Sequence, residues 1–303
     1  MEANSLYDLM KKFPTEESCI KHLESLRWPT GIVCPCCGSS RKIHHIKRCY
    51  VYKCADCNKT FSVRKGTIFE ESRLPLRKWF SAAWLITSNR KGISSCQLAR
   101  EIGVTQKTAW FMLGRLRDVA EGMGATGGPL SGTVEADETY LGGKEKNKHF
   151  NKKSDLGRGP AGKQAVAGIR ERSGRVKIKM VPNTEKNELH NFIQENVATG
   201  TTLYTDDHRS YLGIKDYNHY SVNHSMGEYV RGQAHTNGME SFWALLKRGY
   251  YGTFHHLSWK HLHRYLSEFE TRFGMAEMKG CERLNYLLES VAGRRLSYKG
   301  LIA

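Results

Sequence analysis

The chain has 303 residues, 39% hydrophobic and 10% aromatic, which fits two or three folded domains and excludes a disordered polymer. Its 47 Lys+Arg against 30 Asp+Glu leave a formal net charge of +17. Such an excess repels itself unless a polyanion neutralises it; nucleic acid is the usual partner and a membrane surface the bland alternative.

No apolar run of about eighteen residues is present, so no spanning helix is expected. The start, Met1-Glu2-Ala3-Asn4, lacks the basic and apolar parts of a secretory signal. Cysteines in C-x-x-C pairs then read as metal ligands in a reducing cytoplasm, where the protein is expected to associate with DNA.

Residues 6–26 read as helical, with Leu6, Leu9, Met10 and Phe13 on one stripe and Ile20, Leu23 and Leu26 on a later one. Two knuckles follow, Cys34-Pro35-Cys36-Cys37-Gly38 and Cys54-Ala55-Asp56-Cys57-Asn58. Their C-x2-C-x16-C-x2-C spacing lets Cys34, Cys37, Cys54 and Cys57 surround one zinc tetrahedrally, and Gly or Asn after each pair suits a tight turn. Four thiolates leave no open position, so this zinc is structural. Cys36 competes with Cys37 as a ligand. Cys19, Cys49, Cys96 and Cys281 have no partner pattern.

Residues 73–89 predict a helix, and two more run to about 121. Between those two, Gln97 to Thr105 reads as a helix, a Gly103-centred turn and a new N-cap, the pattern of a helix-turn-helix whose second helix enters the major groove. Gln106 and Lys107 lead that helix, with Arg115 and Arg117 available for phosphate. A plain αα-hairpin has the same pattern; the net charge and the neighbouring knuckles favour DNA binding. Five glycines and Pro129 within 122–132 mark the best domain boundary.

Beyond it, strands are predicted at 132–141, 164–172, 175–182, 201–206 and 218–224, and helices at 184–197, 237–249 and 258–273. This is the element order of an RNase H-like fold. The segment from Gly157 to Gln164 imitates a phosphate-binding P-loop but fails: Gln164 stands where Ser or Thr must hold magnesium, and a strand follows in place of a helix. It reads better as a basic loop, with Lys144, Lys146, Lys148, Lys152, Lys153, Arg158 and Lys163 toward a DNA backbone. A merely solvated loop competes with that reading for any single lysine.

Asp137 and Asp206 fall on strands and Glu240 on a late helix. Such carboxylates sharing one site need a cation, and magnesium takes carboxylate oxygens together with substrate phosphates. The pattern points to metal-dependent chemistry on a phosphodiester, with the three carboxylates converging within a few ångströms. Glu135 shares the strand face of Asp137 and rivals it, whereas Glu138 points to the other face. Asp207 rivals Asp206. Lys247 follows Glu240 by two helical turns, about 10.5 Å along the same face, and would reach along DNA. The cluster of His255, His256, His261 and His263 lacks the arrangement of zinc hydrolases.

These residues resemble the zinc-ribbon-bearing DDE transposases of bacterial insertion sequences, the ISXO-type branch. The likeness spans Arg27-Trp28-Pro29 through both knuckles and Val134-Glu135-Ala136-Asp137-Glu138-Thr139-Tyr140-Leu141-Gly142-Gly143. It continues through Tyr204-Thr205-Asp206, His235-Thr236-Asn237 to Glu240-Ser241-Phe242-Trp243, and His261-Leu262-His263-Arg264-Tyr265. The resemblance implies a transposase whose Asp137, Asp206 and Glu240 bind two Mg2+ (or Mn2+) ions, with Lys247 nearby, for DNA cleavage and strand transfer. Its partners would be terminal inverted repeats and target DNA, bound by a homo-oligomer. A DNA-binding regulator and an RNase H-like nuclease without strand transfer are the alternatives.

The expected chain is multidomain: an N-terminal helical segment (1–27), a zinc ribbon (28–65), a helix-turn-helix (70–121), a Gly-rich linker (122–131), an α/β RNase H-like catalytic domain with a mixed five-stranded sheet flanked by helices (132–275), and a C-terminal tail (276–303).

Overall fold

A computed structural model describes the chain except for residues 1–3, 47–49, 126, 144–148, 150, 152–161, 223–234 and 303. It divides into two units, Met1–Met123 with Glu277–Ala303, and Gly124–Ala276.

The first unit opens with α1 (Leu6–Lys12) and α2 (Glu16–Arg27), where sequence periodicity predicted one helical stretch. The break has local causes. Pro14 cannot continue a helix, and Ser5 and Thr15 each cap the helix that follows through a side chain accepting the N3 amide.

Strands β1 (Ile43–Ile46), β2 (Val51–Cys54) and β3 (Thr60–Phe61) then form an antiparallel sheet, with Cys34, Tyr52, Cys54 and Phe61 in its small core. Next come α3 (Leu76–Ser88), α4 (Ser95–Ile102) and α5 (Gln106–Ala125). Helix α3 is buried on most sides, and Glu16 of α2 accepts the Leu76 amide at its N-terminus. Gly103 ends α4 at φ +62°, in the left-handed region that favours glycine, and the Thr105 hydroxyl accepts the Thr108 amide to start α5. α5 continues through Gly122 and Gly124, so the predicted linker begins as helix.

The second unit holds β4 (Thr133–Leu141), β5 (Gln164–Glu171), β6 (Val176–Val181), α6 (Lys186–Asn196), β7 (Thr202–Asp206), β8 (Asn218–Val222), α7 (Asn237–Gly249) and α8 (Trp259–Gly274). The sheet order is β6-β5-β4-β7-β8. β5 is antiparallel to both β4 and β6, while β4–β7 and β7–β8 are parallel. This mixed sheet flanked by helices is consistent with an RNase H-like fold.

Alternation along β4 sorts its side chains. Val134 and Ala136 join Leu189, Phe192 and Ile193 of α6 in one core. Leu141 joins Met239, Phe242, Trp243 and Leu246 of α7 and Leu262, Leu266 and Phe269 of α8 in the other. Glu135, Asp137 and Thr139 therefore belong to the face that α7 covers.

The last segment is no trailing tail: it forms α9 (Gly280–Glu289) and α10 (Tyr298–Ile302) and belongs to the first unit. Leu284, Leu287 and Leu288 are buried, and the Trp84 ring lies so close to Gly280 that a Cβ there would be 2.3 Å from it. Among the described residues, no helix is long and apolar enough to cross a membrane.

Candidate active site and zinc site

In the first unit the sulfurs of Cys34, Cys37, Cys54 and Cys57 all lie within 4.8 Å of one another. The Cys34–Cys57 and Cys37–Cys54 Sγ pairs are each 3.7 Å apart. Zinc–sulfur bonds of about 2.3 Å at tetrahedral angles put sulfurs about 3.8 Å apart, so the spacing fits one zinc. Cys36 is exposed and outside the group, which leaves Cys37 as the fourth sulfur.

The backbone makes this possible. Gly38 and Asn58 close the knuckles at φ +74° and +57°, and the Cys34 and Cys54 amides donate to the Ser39 and Lys59 carbonyls. Burial alone would raise the Cys34 thiol, but the amides of Cys36 and Cys37 and the neighbouring thiols bring it down to about 7. A thiol so placed yields its proton to a metal readily.

In the second unit β4 and β7 run parallel with Thr133 opposite Thr202 and Glu135 opposite Tyr204. The ladder ends there, two residues before Asp137 and Asp206, and the two acids lie close enough for Asp206 to repel the Asp137 carboxylate. Helix α7 packs on the face of β4 that carries Asp137. It carries Glu240, exposed, in its first turn and Lys247, half-buried, two turns later.

The approach of α7 depends on a missing side chain. Gly168 pairs with Asp137 across β5, and a Cβ there would lie 2.5 Å from Met239 Cε and 2.6 Å from the Trp243 ring. With the space left open, Trp243 Nε1 donates to Asp137 Oδ2 at 3.0 Å. The Glu138 amide donates to Asp137 Oδ1 at 2.8 Å.

Burial nevertheless pushes the Asp137 carboxyl up to about 7, with repulsion from Glu138 and Asp206 adding to it. A buried carboxylate crowded by like charges is a donor set that a divalent cation relieves, so these residues fit one. Among the described residues, the only group of three or more metal-ligating side chains within 4.8 Å of one another is the cysteine cluster, so Asp137, Asp206 and Glu240 do not close to that distance. Local partners hold two of them: Asp137 is bound as above, and Asp206 Oδ1 accepts the His208 amide at 3.1 Å.

Glu135, the rival on the same face, is committed elsewhere. It is 1% exposed, accepts the Met239 amide in the first turn of α7 at 3.0 Å, and stands 3.4 Å from both Arg172 Nε and His235 Nδ1. Glu138 points away from Asp137 yet joins the same electrostatic cluster. Burial raises its carboxyl, with Asp206 adding repulsion, and it accepts the buried Tyr211 hydroxyl at 2.6 Å. Sequence alternation set Glu138 aside, and nothing in the sequence marked Tyr211 as its donor or Trp243 as the donor to Asp137.

The residues expected to contact DNA divide. Gln106, Lys107 and Lys163 are exposed. Arg115 and Arg117, expected to face phosphate, are only 6% and 3% exposed. Arg115 is structural, donating to the Leu296 and Glu70 carbonyls at 3.0 and 3.1 Å. Lys144, Lys146, Lys148, Lys152, Lys153 and Arg158 lie outside the described residues.

Comparison with known proteins gives this arrangement a family. The profile of the ISXO2-like transposase domain matches residues 129–274, and that of the transposase zinc-ribbon domain matches residues 14–60. A protein of transposable element ISH50 from Halobacterium salinarum is 30% identical over 295 residues, covering 93% of this chain and 98% of that protein. The chain belongs to the ISXO2-like transposase family. A transposase-like protein of Haemophilus influenzae is 32% identical over 116 residues, 38% of this chain and 91% of that protein. No solved structure matches the chain significantly. The protein is thus a transposase of an insertion sequence, with an N-terminal zinc ribbon and a DDE domain; transposases act on DNA.

Proposed function

We propose that this transposase binds the terminal inverted repeats of its own element through the first unit and cleaves and joins DNA at Asp137, Asp206 and Glu240. The observation that carries this is the buried, repelled Asp137 carboxyl beside Asp206, on the sheet face covered by the helix that bears Glu240.

Asp137, Asp206 and Glu240 would hold two divalent ions, Mg2+ or Mn2+. Bound there, the ions supply charge compensation and activation of the attacking oxygen for an in-line displacement. The rest falls to the chain. Trp243 and the Glu138 amide fix both oxygens of Asp137, leaving it one orientation. The Glu135 carboxylate caps α7 and so sets the first turn, where Glu240 sits, against β4. Lys247 would contact a phosphate of the bound strand.

Recognition of the ends would fall to a helix-turn-helix made of α4 and α5. Helix α5 exposes little beyond its first turn, which carries Gln106 and Lys107, and the N-terminal residues of a recognition helix are those that reach base edges. Joining two ends to a target calls for at least two copies of the chain, so the working form would be a homo-oligomer on DNA.

The test is Asp137→Asn in full-length protein with Mg2+, on duplexes carrying the element's ends. Nicking and strand transfer should fall by several orders of magnitude while end binding stays within about twofold. Undiminished strand transfer would remove Asp137 from the chemistry.

A further inference from the structure

The segment after α9 runs antiparallel along α5. Six residues of α5 (Lys107, Phe111, Gly114, Arg115, Asp118 and Gly122) fall within about 100° of one another around the helix. All six face that segment. The Arg294 guanidinium donates to the Asp118 carbonyl at 2.7 Å and fills the place of a side chain over Gly122. One turn back, Arg115 donates to the Leu296 carbonyl at 3.0 Å. Leu301 occupies the space over Gly114, where a Cβ would lie 2.8 Å from its Cδ2. The Tyr298 ring meets Phe111 edge-on at 5.9 Å and has the Lys107 ammonium over its face at 5.1 Å.

This strap is built in. A glycine inside a helix costs roughly 1 kcal/mol against alanine, and α5 carries two of them where strap side chains fill the room. Packing of this kind argues against a cover that lifts off. It lies outside the stretches matched by either family profile, 14–60 and 129–274.

The strap's end reaches the first turn of α5, the part of that helix left exposed. Lys107 is exposed, Tyr298 is 41% exposed, and Lys299 beside it is exposed. An ammonium within about 6 Å of an aromatic face is attracted to it, so the ring restricts where Lys107 points. We propose that the C-terminal strap is part of the DNA-reading surface: Tyr298 orients Lys107 toward duplex DNA, and Lys299 adds a phosphate contact. This rests on the reading of α5 as the recognition helix.

The experiment measures binding of the full chain to a duplex carrying one end of the element and to a shuffled duplex of equal length, across a salt series. Lys107→Ala should weaken end binding about tenfold. Tyr298→Ala should reproduce several-fold of that loss, Tyr298→Phe should restore it, and the Lys107→Ala/Tyr298→Ala double variant should be little worse than Lys107→Ala. Lys299→Ala, an exposed change that spares the fold, should weaken both duplexes alike and lower the log–log salt slope by about 0.9. If Lys107→Ala weakens end binding while Tyr298→Ala and Lys299→Ala do nothing, the strap is packing only and the inference fails, with α5 still the reader. If Lys107→Ala itself does nothing, the recognition-helix reading fails and takes this inference with it.

Discussion

Trp243 Nε1 donates to Asp137 Oδ2 at 3.0 Å, joining the helix that carries Glu240 to the strand that carries Asp137. Trp243 lies three residues after Glu240, so the bond fixes the helix close to the carboxylate it would work with. Trp243→Phe keeps most of the buried ring and removes the donor. A loss of about 1 kcal/mol in stability is expected, together with a drop of about tenfold or more in strand transfer at saturating Mg2+. The comparison of thermal melts with single-turnover strand transfer tests it; equal activity in the two proteins would show that the bond does not position Asp137.

Gly168→Ala tests the same approach from the opposite strand. The new methyl would lie 2.5 Å from Met239 Cε and 2.6 Å from the Trp243 ring, and both are held in a packed core. Overpacking of this kind costs about 1–3 kcal/mol and would push α7 off the sheet. Calorimetry should record the loss, and end binding by the first unit should be untouched. An unchanged melting temperature would contradict so tight a seat for α7.

The catalytic unit was legible because its strands alternate and its helices carry clean apolar stripes. Predicted strands at 132–141 and 201–206 became β4 at Thr133–Leu141 and β7 at Thr202–Asp206. What could not be read depended on partners distant in sequence. Glu135 looks like any strand carboxylate until α7, 104 residues later, supplies the amide it caps. Arg115 looks solvent-facing until a carbonyl 181 residues later takes its Nε–H. The amphipathic α9 gives no hint that it returns to the N-terminal unit, because an apolar stripe records burial and not the partner.

Two carboxyls make the second unit sensitive to pH. Asp137 is pushed up to about 7 by burial, Glu138 and Asp206, and Glu270 to about 7 by burial. Unfolded, both ionise near ordinary carboxylate values of about 4. From about pH 4 to 7 the folded unit holds protons that the unfolded chain has released. Their stabilising contribution is therefore complete below pH 4 and lost as pH rises through 7. In chelated protein, Asp137→Asn should raise the melting temperature at pH 8 and change it much less at pH 5. A variant destabilised equally at both would contradict the raised carboxyl.

The cysteine cluster should hold one zinc per chain. Structural zinc contributes about 10–16 kcal/mol to the folding of a small module, more than the three short strands supply alone. Cys54 is 0% exposed, so Cys54→Ala removes a ligand and opens a cavity in the ribbon core. Elemental analysis should find zinc lost, and hydrogen exchange should find β1 to β3 unprotected while β4 to β8 keep their protection. Full zinc occupancy in the variant would point to Cys36 or another donor taking over.

Truncation after Ala276 separates the two units most sharply. It removes buried Leu284, Leu287, Leu288, Val291, Leu296 and Leu301 from the first unit and nothing from the second. Each such side chain is worth about 1.5–3 kcal/mol, so six of them approach or exceed the roughly 5–15 kcal/mol by which whole domains are stable. The truncated chain should lose cooperative unfolding of α3 to α5 and lose end binding, yet retain the melting transition of the second unit. It follows that the first unit completes its fold only when residues 277–302 are present. Native-like end binding by residues 1–276 would show instead that α1 to α5 form a sufficient core without α9 and the strap.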